Sequence, residues 1–125
     1  MIVVYDAGAL VAADRSDRAV WAEHRTRLEL GLVPITTAPA VAQVSRSGRQ
    51  AQLRRFLRGC QVVPFRAEDA HDVGALAGRC GVDDVIDVHV VTVAKRAGAS
   101  VMTSDEQDVS RVASALKPPV PIIAI

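Results

Sequence analysis

Five short runs rich in β-branched and apolar residues punctuate the chain: IVVY at Ile2–Tyr5, VPIT at Val33–Thr36, QVVPF at Gln61–Phe65, SVMT at Ser100–Thr103 and a terminal PVPIIAI. Runs that stay apolar instead of alternating suit strands covered on both faces, as in a parallel sheet. Between them lie stretches of helical spacing. Ala7–Ala13 forms a short helical turn, and Asp17 is an N-cap for a helix carrying Val20, Trp21, His24 and Leu28 that stops near Gly31. Pro39 fits the first turn of a third helix, with Val41 and Val44 on its apolar side and Gly48 as its breaker. Further helices are expected over Gln50–Arg58, Ala67–Arg79 closed by Gly81, the stretch after Asp84, and Glu106–Leu116. Strands alternating with helices predict one α/β domain with a largely parallel sheet of about five strands.

At 125 residues, half of them apolar, the chain has the size of one domain and can bury a core. The net charge of +1 conceals an uneven spread: no acid stands between Glu29 and Glu68, where Arg46, Arg49, Arg54, Arg55, Arg58 and Arg66 all fall. Cys60 and Cys80 are too few and too far apart for a zinc site and are expected as buried free thiols in a reducing compartment. The beginning MIVVYDAGAL lacks a basic leader region, and no apolar run nears the ~20 residues that span a bilayer, so a cytoplasmic protein is expected.

The chemistry concentrates in Gly81–Asp108, where six carboxylates flank an apolar middle: Asp83, Asp84 and Asp87 before it, Asp105, Glu106 and Asp108 after it. In parallel sheets the ligand site lies beyond the carboxyl ends of strands, where Asp6 and Asp105 fall. Asp84 and Asp87, three apart at a helix start, share a face. If the strands bearing Asp6 and Asp105 are neighbours, these groups converge. Converging carboxylates repel and need a proton, a basic partner or a cation. Oxygen ligands alone, without a His or Cys set, favour Mg2+ or Mn2+, which can activate a water for attack on a phosphodiester. The plainer reading is that acids at strand ends and helix starts are caps, each contributing ~1 kcal/mol, and it fits Asp84 and Asp108 best.

Three segments, VVYDAGALVAA, TTAPAVAQVSR and DVIDVHVVTVAKRAGASVMTSDEQDV, together resemble the PIN-domain nucleases and, among them, the VapC-type toxins of bacterial toxin–antitoxin pairs. The resemblance spans nearly the whole chain and is most specific in the last segment. It implies a PIN-like three-layer domain and a metal-dependent endoribonuclease that acts on RNA as a homodimer and is silenced by a cognate antitoxin. Carried over by position, Asp6, Asp87 and Asp105 are the catalytic and metal-holding acids, and Asp84 and Asp108 match variable accessory positions. Thr103 or Ser104 orients metal-bound water. Two positions depart from the pattern: Gln43 stands where the family commonly has Glu, and Ala7 where it has Ser or Thr. Gln43 still offers an oxygen but no charge, which predicts weaker metal binding, partly made good by Asp84.

The arginines at 46, 49, 54 and 55 are candidates to track an RNA backbone, against the alternative of a solvated helix face. With one Trp, one Tyr and two Phe the chain has no aromatic platform for bases. His24, His71 and His89 read as packed or surface residues, and Trp21 as a core or dimer contact. Neither G-x-x-x-x-G-K nor G-x-G-x-x-G occurs. Two other classes remain open: a binding module that keeps the fold without catalysis, suggested by Gln43, and a phospho-acceptor domain, which would need an isolated Asp after the middle strand and a Lys after a later one, whereas Val62–Phe65 ends without either.

Overall fold

In the computed structural model, which describes residues 1–125, five strands alternate with seven helices. In chain order these are β1 (Val3–Tyr5), α1 (Ala7–Asp14), α2 (Arg18–Glu29), β2 (Ile35–Thr37), α3 (Ala38–Val44), α4 (Ala51–Arg58), β3 (Gln61–Val63), α5 (Ala67–Cys80), α6 (Val85–Ala97), β4 (Ser100–Thr103), α7 (Glu106–Ala115) and β5 (Ile122–Ala124). The sheet runs β3-β2-β1-β4-β5 and every neighbouring pair is parallel. The chain therefore steps outward from β1 in one direction and then, from β4, in the other. Between β1 and β4 lies the switch in strand order where parallel sheets leave a crevice for ligands.

The central strands are apolar throughout because helices cover both faces. Val3, Val4, Tyr5, Val101 and Met102 are buried, as are Val88, Val90 and Val91 of α6 and Leu10 of α1. An aromatic group ties α2 and α4 to this core. The Tyr5 hydroxyl pairs with His24 Nδ1 at 2.9 Å, His24 stacks on Phe56 at 3.9 Å, and Trp21 Nε1 donates to the Ala13 carbonyl at 2.9 Å. Both His24 and Trp21 thus pack, as their helical spacing implies. His89 is buried too, beneath Phe65, whereas His71 is exposed.

Three boundaries move for identifiable reasons. β2 begins at Ile35, not Val33, because Val33 is exposed and Pro34 has no N–H to give a ladder. β3 ends at Val63, one residue before Pro64. α3 stops at Val44, well before Gly48, because the Gln50 amide takes over the loop that follows. Its Oε1 accepts from the N–H groups of Arg46 (2.7 Å) and Ser47 (3.0 Å), while Nε2 donates to the Val44 carbonyl (2.9 Å) and Asp14 Oδ2 (3.1 Å). Cys60 and Cys80 are free, as expected, but half-buried, and burial pushes the Cys60 thiol up to about 12. No helix is long and apolar enough to cross a membrane.

Candidate active site

The register of β1 against β4 sets Tyr5 beside Met102, and the Asp6 N–H continues the ladder to the Met102 carbonyl at 3.2 Å. Asp6 consequently leaves the sheet next to Thr103. It is buried, and its carboxylate caps α1 by accepting from the Ala9 N–H at 2.8 Å. Burial pushes the Asp6 carboxyl above its usual range, against the pull of Thr103 and of the Ala9 N–H, with the nearby Asp105 charge adding to the rise. Thr103 is the link between two acids. Its Oγ1 accepts from the Asp105 N–H at 2.8 Å, which leaves the hydroxyl hydrogen for Asp6.

Asp84 and Asp87 arrive on the first turn of α6. Asp84 Oδ1 accepts from the N–H groups of Ile86 (2.9 Å) and Asp87 (3.3 Å), so it starts the helix as the capping pattern requires. Asp87, 8 % exposed, makes no cap. Its carboxyl is pushed up to about 7, first by burial and then by the negative charges of Asp84, Asp6, Asp105 and Asp108. A single buried acid that feels all four others marks the point on which the set converges.

Asp105 is exposed and, although it stands at the N-cap position of α7, its side chain caps nothing. Asp108 is half-buried on the first turn of that helix. Ser104, also exposed, lies over the first turn of α1. A Cβ at Gly8 would collide with Ser104 Oγ and come within 3.0 Å of its Cβ and 3.2 Å of its backbone nitrogen. Gly8 therefore admits the loop that carries Ser104 and Asp105, a requirement that spacing in the sequence does not reveal.

Gln43 is exposed and makes no side-chain hydrogen bond, so nothing fixes it toward the acids. The arginines divide. Arg46 donates to the Ala42 and Ser45 carbonyls and Arg54 to the Gly48 carbonyl at 2.6 Å, holding their own loop. Arg55 hydrogen-bonds Gln52 and lies 5.7 Å over the Trp21 ring, and Arg49 is exposed.

Can these residues hold a cation? The donor set is of the right kind, all carboxylate and hydroxyl oxygen, and it lacks a countercharge: the two ion pairs of the chain, Arg27–Glu23 and Arg96–Asp69, lie elsewhere. As the side chains stand, no three His, Cys, Asp or Glu groups close into a ligating cluster. The two facts are compatible, because charges act over longer distances than ligand bonds and Asp6 and Asp84 each have one oxygen turned to a helix N-terminus. The chemistry of the donors fits a hard divalent ion with waters filling its shell.

Comparison with known proteins bears on the same region. No curated protein matches the sequence. Among solved structures, that of VapBC2 from Rickettsia felis, bound to a DNA fragment from their promoter, superposes with a TM-score of 0.73 at 16% identity, over 100% of this chain and 99% of that one. PAE2754 from Pyrobaculum aerophilum superposes with a TM-score of 0.64, also at 16% identity, over 97% of this chain and 83% of that one. At such identities the likeness is one of fold. The PIN domain family model matches residues 3–115, from β1 to the end of α7, and so includes every acid discussed above. The chain belongs to the PIN domain family, whose members are in general nucleases.

Proposed function

We propose that this protein is a Mg2+- or Mn2+-dependent endoribonuclease of the VapC type, the toxin of a toxin–antitoxin pair. The observation that carries the reading is the pairing of β1 with β4, which sets Asp6 and Asp105 at adjacent strand ends near the buried Asp87, whose carboxyl burial and the charges of Asp84, Asp6, Asp105 and Asp108 push up to about 7. A protein that maintains such repulsion without a basic partner has a use for a cation there. Asp6, Asp87 and Asp105 would hold it, aided by the free oxygen of Asp84, with Asp108 adding charge. When bound, the ion supplies an activated water and neutralises charge on the phosphodiester. The chain's own contribution is positional. Thr103 fixes Asp105 through its backbone and turns its hydroxyl to Asp6.

The toxin assignment, with a cognate antitoxin as partner, a homodimer as working unit and the cytoplasm as location, rests on family membership and on likeness of fold to the Rickettsia felis complex. The test is cleavage of a mixed RNA pool with Mg2+ or Mn2+ by wild type and by Asp6→Asn. Asparagine caps a helix as well as aspartate, so this change removes charge and leaves α1 intact. Cleavage is expected to fall by about 100-fold or more; equal cleavage by the two proteins would refute the assigned site. Thr103→Val should lower cleavage about tenfold and raise the metal concentration needed, because the Asp105 N–H loses its acceptor and Asp6 loses the hydroxyl that favours its charge. Unchanged metal dependence would remove Thr103 from that role.

A second reading is favoured by Gln43, exposed and unpartnered: a PIN-fold binding module with weakened or absent catalysis. If charge is what is missing, Gln43→Glu should tighten Mg2+ binding and raise cleavage. No gain on restoring the acid would dismiss Gln43 as the cause of any weakness, and no cleavage of any RNA by wild type would favour the module.

A further inference from the structure

Thirteen of the fifteen basic residues are arginine, yet Arg27 and Arg96 alone form ion pairs. Three of the others face one cleft. Between α2 and α4 a depression of about 360 Å³ is lined by Arg18 and Arg25 of α2, by Arg55 of α4 and by Trp21, and no carboxylate lines it. All three guanidinium groups are on exposed residues, and the acid nearest in sequence, Asp17, is occupied in capping α2 through the Val20 N–H at 3.1 Å. Arg55 is steadied over the Trp21 ring, whose indole N–H is tied to Ala13, so this edge of the cleft is fixed.

A second depression, of about 380 Å³, lies between this cleft and Ser104, the chain neighbour of Asp105. It runs along the exposed side of α1 from Ser104 and Gly8, past Val11 and Ala12, to Arg15 and Asp17. Ser16, between those last two, lines the first cleft. α1 has 8 residues, so the two ends are separated by at least ~12 Å of helix, a distance that a strand of a few nucleotides spans.

We infer that the cleft between α2 and α4 is a phosphate site, in which Arg18, Arg25 and Arg55 hold the backbone of single-stranded RNA away from the acidic centre. This rests on the nuclease reading for its substrate. Guanidinium forks are suited to phosphate oxygens, and three of them without a carboxylate partner, Arg55 being held only by Gln52 and the Trp21 ring, supply the countercharge that a strand approaching a cluster of carboxylates needs. The site recognises backbone, not sequence. It also explains how a chain with one half-buried Trp binds RNA without stacking bases.

The experiment uses proteins carrying Asp105→Asn, at constant Mg2+, so that RNA is bound and not cut. Fluorescently labelled RNAs of about 4 and about 12 nucleotides are titrated over a range of salt. Arg18→Ala with Arg25→Ala should weaken the longer RNA about tenfold and reduce the slope of log affinity against log salt by about 1.4, two phosphate contacts at ~0.7 each. The short RNA, which the acidic end accommodates alone, should be unaffected. Lysine at both positions should restore the slope, which a folding defect would not allow. Arg79→Ala with Arg111→Ala, exposed on α5 and α7, should change neither RNA.

Absence of binding to the longer RNA, an unchanged slope, or equal losses for both lengths would overturn the proposal. So would displacement of the RNA by polyglutamate from the parent protein but not from the double variant, with no dependence on RNA length; that result would make the cleft a protein-binding surface. Failure of the nuclease reading is seen separately. Wild type that cuts nothing with metal, while the cleft variant still loses the longer RNA, would leave the phosphate site standing without the catalytic one.

Discussion

Replacing Asp87 by asparagine is expected to abolish cleavage and, in the metal-free protein at pH 8, to raise stability. The sign follows from where the group titrates. An unfolded aspartate ionises near 3.8, and burial with four neighbouring charges pushes Asp87 up to about 7. The native state therefore prefers the protonated form. That preference contributes stability in full below pH ~4, loses it as pH rises, and has none left above pH ~7. Above that, the ionised group is a burden that asparagine lacks. A rise of that size corresponds to an upper figure of ~4 kcal/mol, and after discounting for relaxation about 1–3 kcal/mol is expected. Urea denaturation at pH 5 and pH 8 measures it: the gain from Asp87→Asn should be large at pH 8 and small at pH 5. Added Mg2+ should raise the melting temperature of wild type and leave that of the variant nearly unchanged. Equal stability of the two proteins at pH 8 would mean that Asp87 is not strained by its neighbours.

The second large effect needs no charged residue at all. Gly8→Ala should leave the protein folded while lowering cleavage by about 10- to 100-fold. Alanine favours a helix over glycine by up to ~1 kcal/mol, so α1 itself gains. The new methyl, however, occupies the space of Ser104 Oγ and crowds its Cβ and backbone nitrogen, so the loop bearing Asp105 must move. Misplacement of a catalytic group costs up to about 100-fold per ångström, and the hydroxyl must turn while the backbone gives by some tenths of an ångström, so a loss toward the lower end of that range is expected. Adding Ser104→Gly removes the clash and should return most of the activity. Full activity in Gly8→Ala alone would show that the loop is free to shift without consequence.

These two cases also show what the sequence discloses and what it withholds. The strand order is not readable, but apolar runs such as IVVY and SVMT, each followed within two residues by an acid, are enough to imply a parallel sheet with Asp6 and Asp105 at strand ends, and the pairing of β1 with β4 brings those ends together. The spacing of Asp84 and Asp87 implied one helix face. It did not show how the work is divided on it, because a cap is decided by which N–H a carboxylate reaches, and that depends on the turn. The arginines mislead more. Arg46 and Arg54 look available in sequence yet donate to carbonyls of their own loop, whereas Arg18 and Arg25 join Arg55 only because α2 packs beside α4 through Trp21, His24 and Phe56. Likewise α3 ends at a glutamine side chain from beyond it, a long-range choice that local propensity does not contain.

The double duty of two acids has an evolutionary consequence. Asp6 and Asp84 hold the first turns of α1 and α6, so a descendant that had lost all catalysis would still be under pressure to keep them, or asparagine in their place, to fold. Their presence in a relative is therefore poor testimony of activity. Asp87 and Asp105 support no helix, and at pH 7 the first is a cost to the fold. Under the proposed function the chemistry alone retains them, and they should be the first to drift once that function is gone.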